Sequence, residues 1–180
     1  MIYAFISTNT LMMADDYCYF SILNKCDFIK SQITSYQEVV IYAGNRFAAS
    51  LFSGLVGRID SEAVTFFPFL TIVCFFLVLF FLFFQVSKYF NHQADPIFLA
   101  LFTSFQVFLL IYLSPSHFQN WYWFSGIIAY TFPFILFLFS IGLMFFILKQ
   151  AKQSYALYFL VFIVSLLAAG FSETSAVTFF

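Results

Sequence analysis

From position 63 to 86 the chain reads AVTFFPFLTIVCFFLVLFFLFFQV, with no charged side chain and Gln85 as its single strongly polar one. That block constrains the fold more than any other feature. A helix needs about 20 consecutive apolar residues to cross the hydrocarbon of a bilayer. In that medium a backbone must satisfy its own hydrogen bonds, which a helix does within one segment. Three further blocks follow, at 97–113, 126–148 and 155–171, and none of the four contains Asp, Glu, Lys, Arg or His. Blocks 63–86 and 126–148 reach spanning length unaided, whereas 97–113 and 155–171 span only with help from flanking residues.

Composition agrees with this reading. The chain is 63% hydrophobic and 25% aromatic, only 8% of it is charged, and its mean hydropathy is +0.97. Fifteen formal charges on 180 residues cannot clothe a water-soluble domain of this size. The expected fold class is therefore all-α, a polytopic transmembrane helix bundle of four spans plus a partial first helix, in a single membrane domain 1–180. A net charge of −1 gives no basic field for nucleic acid, so no nucleic-acid partner is expected. Of the three cysteines, none has metal-ligand spacing, and Cys18 and Cys26 are read as free thiols rather than a disulfide.

Segment 1–14, MIYAFISTNTLMMA, is too short for a span and lacks the basic start of a signal peptide. It reads as the end of a first helix, and the last residues, AVTFF, open a fresh apolar run, so the chain reads as a fragment of a larger protein. Pro68 and Pro133 sit inside apolar blocks, where each is expected to kink its helix or mark its first turns. Within the polar segment 15–62, Val40, Phe47, Leu51 and Leu55 recur at helical spacing and predict one face of an amphipathic helix at the membrane surface.

Lysine and arginine in the short connectors set the orientation. Lys88 follows the first block, and Lys149 and Lys152 lie between the third and fourth, while SPSHFQNWYWFSG between the second and third has neither. The basic connectors are expected inside and 114–125 outside, with segment 15–62 and Glu173 on the outer face too. Lys25, Lys30, Arg46 and Arg58 in the long segment pull the other way. The relative sidedness needs only the helix count: Asp15, Asp16, Arg46, the Trp121–Trp123 loop and Glu173 share one end of the bundle.

Several of those residues carry two readings. Asp15 and Asp16 are either an N-cap for a helix starting at Tyr17 or a general base near low-dielectric lipid. Arg46 either grips a phosphate by paired hydrogen bonds, with Tyr42 one turn away, or snorkels from an interfacial helix. His117, Gln119, Asn120, Trp121 and Trp123 form either a sugar-stacking loop or an aromatic belt. Glu173 either contacts substrate or complements the dipole of a helix capped by Ser172.

The order of these motifs, ADDY, then YAGNRF, NWYWFSGIIAYTFP and AAGFSETSA, resembles bacterial polytopic glycosyltransferases of the GT-C type. The stretches that carry the likeness to one branch of them are Trp123–Gly126–Tyr130 and Gly170–Ser172–Glu173; Asn45 departs from the Gly-Arg pair more usual there. The resemblance implies that Asp15 or Asp16 is the catalytic carboxylate, as base or metal-orienting group, and that Arg46 contacts the donor phosphate. It further implies a lipid-linked sugar donor, a glycan or lipid acceptor and a multi-pass place in the cell membrane. It leaves the cofactor unknown, with a divalent metal open. A transporter or flippase component for lipid-linked sugars, or an inactive truncated product, are the other expectations.

Overall fold

The computed structural model describes residues 3, 16–17, 27–37, 46–59, 61–92, 94–150 and 154–179; side chains are described for most of these. Asp15, Cys18, Cys26, Val40, Tyr42 and Lys152 lie outside the described residues.

Helices α1 (Phe28–Gln37) and α2 (Phe47–Ile59) precede the long α3 (Ser61–Tyr89). Helix α4 (Pro96–Tyr112), the short α5 (His117–Trp121) and α6 (Phe124–Lys149) follow, and α7 (Tyr155–Ala169) and α8 (Glu173–Phe179) close the chain. All regular structure among the described residues is helical. Two stretches are long and apolar enough to cross a membrane, Phe66–Tyr89 and Phe124–Lys149. Helices α4 and α7, at 17 and 15 residues, are apolar but shorter.

Helices α3 and α6 pack together as the axis, with α4 on the outer side of α3 and α7 on the outer side of α6. On α3 the buried face is Phe67, Pro68, Thr71, Ile72, Phe75 and Leu79, a 3.6-residue repeat. Helix α6 answers with Ile135, Gly142, Leu143 and Ile147. Gly142 lets the two helices close: a Cβ there would stand 2.8 Å from the Phe81 ring. Small residues at such crossings are what packing between membrane helices requires. Hydroxyls in the apolar helices are absorbed locally, Thr71 donating to the Phe67 carbonyl at 2.9 Å and Thr103 to that of Leu99 at 2.7 Å. On another side of α3, Phe76, Phe80 and Phe84 stack ring on ring with 6.3 Å centroid spacings, and the Lys88 ammonium sits 4.3 Å from the Phe84 centroid.

Pro133 marks a first turn, as expected, standing second in the α-helical stretch Phe132–Lys149. Helix α6 takes a π-helical turn at Ile127–Thr131 and resumes as α-helix at Phe132. Proline has no N–H to donate and its ring crowds the carbonyl one turn back, so a wider turn just ahead of it relieves the clash. Pro68 lies inside α3. The predicted apolar face of α2 is displaced. Ala48, Ala49 and Val56 are buried, whereas Phe47 and Leu55 are 39% and 49% exposed. The small residues let the helix lie close against α3 and α6, a requirement that outranks side-chain size.

Two corners are fixed by glycine. At Gly126 a Cβ would fall 2.0 Å from the Gln119 carbonyl oxygen, and at Gly170 it would fall 2.3 Å from the Phe47 ring. The first contact is backbone against backbone and cannot yield by a rotamer change. Gly126→Ala is expected to destabilise the protein by about 1–3 kcal/mol, and Gly142→Ala, facing only a ring, by less. Thermal unfolding of both variants in detergent checks the order, which a larger loss for Gly142→Ala would reverse.

Candidate functional site

The N-terminus of α6 lies at the corner between α5 and α6. Its cap residue, Trp123, is extended (φ −92°, ψ 121°) and provides no capping side chain. The first N–H groups of a helix have no partners within it and need acceptors. Asp16 supplies one from 109 residues earlier: its Oδ1 accepts the Ser125 backbone N–H at 3.0 Å and, more closely, the Ser125 hydroxyl. Asp16 is fully buried, and a carboxylate at this end of a helix also meets the positive end of the dipole. The aspartate thus caps α6 from a distant part of the chain.

A second long-range pair stands beside it. Arg46, at the start of α2, donates to Glu173 Oε2 through Nε at 3.1 Å and Nη2 at 2.9 Å. The Ala48 N–H bonding to the Gly170 carbonyl at 3.0 Å and the Phe47 ring pressing on Gly170 hold α2 against the end of α7. Ser172 caps α8, its hydroxyl accepting the Ser175 N–H at 3.1 Å, and Glu173 occupies the first turn. Glu173's own backbone N–H, and then the Arg46 guanidinium, hold its carboxyl below the ordinary value.

These groups meet at a polar cavity of about 250 Å³ lined by Arg46, Ser53, Gln119, Trp123, Ser125 and Tyr130, with Phe171 and the backbone near Gly126 completing it. Beneath it lies an apolar cluster that includes Ala48, Phe67, Phe124, Ile127 and Phe171. A cation, hydroxyls, an amide and aromatic faces together suit an oxygen-rich ligand, with hydrogen bonds at its edges and stacking on its flat faces.

A larger cavity of about 460 Å³ lies on the other side of the α5–α6 corner, lined mainly by Phe75, Leu110, Leu113, Trp121, Tyr130 and Phe134. Asn120 and Thr131 border it, the Asn120 side-chain amide donating to Ser114 Oγ at 2.8 Å while the Asn120 backbone carbonyl accepts the Thr131 hydroxyl. The indole N–H groups of Trp121 and Trp123 are buried without a hydrogen-bond partner among the described residues.

The sequence-derived residues therefore divide. Arg46 and Trp123 line the polar cavity, Glu173 ion-pairs with Arg46, and Asp16 reaches the cavity wall through Ser125. Asn120 and Trp121 belong to the apolar cavity instead, where Trp121 packs on Phe75 at 5.1 Å between centroids. Adjacent loop residues point to opposite sides, so the short aromatic motif serves two cavities. His117 Nε2, as the protonated ring nitrogen, donates to the Tyr112 carbonyl 2.8 Å away at the end of α4. Ser53 and Ser125 carried no signal of their own, although Ser125 lies within the Trp123–Gly126–Tyr130 stretch whose last residue also lines the cavity. Among the described residues no three His, Cys, Asp or Glu side chains stand close enough to hold a metal ion.

No protein-family model, curated protein or solved structure matches this chain.

A carboxyl whose pKa falls on folding stabilises the fold at pH above the unfolded carboxyl's range. That contribution disappears as pH falls through the lowered value. Both partners are partly solvated, so the effect is small. Glu173→Gln is expected to lower the melting temperature at neutral pH, and the gap from wild type should close as the solution is acidified below the ordinary glutamate range. A gap that persists in acid would remove the ion pair as its cause.

Proposed function

We propose that the chain is a membrane glycosyltransferase that moves a sugar from a polyprenyl-phosphate-linked donor to an extracytoplasmic glycan or lipid acceptor. The observation that carries this reading is the convergence of Arg46, Trp123, Tyr130 and the Asp16–Ser125 pair on one polar cavity at one end of an apolar bundle. Arg46 would grip the phosphate of the donor, and Trp123 and Tyr130 would stack on the sugar. The acceptor hydroxyl would attack the anomeric carbon, forming the new C–O bond as the bond to phosphate breaks. Its proton would pass to Ser125, whose own proton moves to the Asp16 carboxylate, and the lipid phosphate would leave with the electron pair. Asp15, the alternative carboxylate, remains in the proposal beside Asp16.

The same reading carries a topology. Helices α3, α4, α6 and α7 would be four spans, with the cavity on the extracytoplasmic side and Lys88 and Lys149 on the cytoplasmic side, as the basic residues prefer. Lipid-linked donor, membrane lipids and acceptor are the partners this implies.

A second reading is a non-enzymatic handler of lipid-linked sugars, and the complete burial of Asp16 in a capping role favours it. Asp16→Asn separates the two, because the asparagine oxygen still accepts the Ser125 N–H and keeps the cap while losing the base. The enzyme reading expects sugar transfer in membranes to drop by about 10²–10⁴-fold with folding preserved. Unchanged transfer would end it. For the topology, a cysteine at exposed position 117, in a background without the native cysteines, should react with an impermeant thiol reagent applied from outside. Protection there would invert the orientation.

A further inference from the structure

Arg46 serves two places at once. It brings a guanidinium to the wall of the polar cavity, beside Ser53, Gln119, Ser125 and Tyr130. Glu173 is not part of that wall, yet it takes two of the guanidinium's N–H groups: Nε and Nη2 both donate to the single oxygen Oε2, at 3.1 and 2.9 Å. The strongest arginine–oxyanion contacts give each N–H of the fork its own oxygen. Here one oxygen serves both, so the carboxylate fills the fork without matching it. A phosphate presents several oxygens and satisfies such a fork with two of them.

The surrounding corner does not depend on this ion pair. The Ala48 N–H bonds to the Gly170 carbonyl at 3.0 Å, the Phe47 ring lies against Gly170, and the Ser172 hydroxyl accepts the Ser175 N–H. The Glu173 side chain is 52% exposed and that of Arg46 26%. Releasing the carboxylate therefore returns it to water, while the guanidinium stays on the cavity wall. From these contacts we infer that Glu173 is a built-in competitor: it occupies the guanidinium edge that an incoming phosphate group needs, and the ligand binds by displacing it. Glu173 thereby sets specificity. A lone hydroxyl or amide oxygen does not outcompete a carboxylate for a guanidinium, whereas a phosphate, with more charge and two oxygens for the fork, does. The inference rests on reading Arg46 as a phosphate contact of the polar cavity, and not on sugar transfer.

The test uses the full chain in a nonionic detergent free of phosphate. It is dialysed to equilibrium against radiolabelled inorganic phosphate and, separately, titrated with dihexanoyl phosphatidic acid. Glu173→Gln is expected to tighten binding of at least one of the two by about two- to fivefold, the scale of a solvent-exposed ion pair. A gain with inorganic phosphate assigns recognition to the phosphate alone, and a gain with phosphatidic acid only assigns it to a lipid headgroup. In an Arg46→Gln background the gain should vanish. Glu173→Gln also lowers the melting temperature without ligand, as expected above, and saturating ligand should raise it by more in this variant than in wild type. A pair in which Glu173 merely orients Arg46 predicts the opposite, lower stability and weaker binding together. Absent, unchanged or weaker binding of both probes in Glu173→Gln, or a gain that persists in Arg46→Gln, would overturn the inference. Sugar transfer is assayed on the same preparations. Tighter binding without transfer supports the competitor and sinks only the enzyme reading; transfer without the gain sinks the competitor.

Discussion

Helix α6 begins inside protein, and a helix that starts away from water must find acceptors for its first N–H groups. The Asp16 carboxylate meets that need, and much else leans on the result. With the N-terminus of α6 anchored, the α5–α6 corner closes at Gly126 and Trp123 turns toward the polar cavity. The body of α6 can then run beside α3 with Gly142 against Phe81. A buried carboxylate is an expensive group unless it is well bonded. Here a backbone N–H and a hydroxyl from one residue share it, and the helix dipole adds to both.

The polar cavity follows from two mismatches between sequence and ideal helix geometry. Pro133 forces a wider turn into α6, and that turn brings Ile128, Ala129 and Tyr130 together on the cavity wall. Gly170 ends α7 where Phe47 can dock, which brings Arg46 within reach of Glu173. Two residues 127 positions apart are joined at this point by an ion pair. The π-helical turn lies at the end of the bundle where the polar groups collect.

How much of this could be read beforehand varies with the physics. The long apolar helices were legible because length and lack of charge are local properties, and the blocks 63–86 and 126–148 fall within α3 and α6. Their buried faces were not, since a helix that is apolar all round carries no stripe to mark its core side. The contacts of Arg46 with Glu173 and of Asp16 with Ser125 join residues more than a hundred positions apart, which no local pattern marks. Likewise Trp121 and Trp123 look equivalent until the corner sends them to different cavities. The face of α2 was misjudged because large side chains mark a helix face by size, whereas close packing here selected alanine.

The bond between Asp16 and Ser125 also orders the protein's making in time. Synthesis proceeds from the N-terminus, and domains generally assemble as the chain emerges. Asp16 therefore exists long before its acceptor-seeking partner, and α3 and α4 lie between them. Until α6 is in place the carboxylate must stay hydrated, held away from the apolar surface that will later enclose it. The polar cavity is then the last part of this bundle to form. A lesion that delays the folding of α6 would leave Asp16 without the Ser125 groups it bonds, however sound the sequence around it.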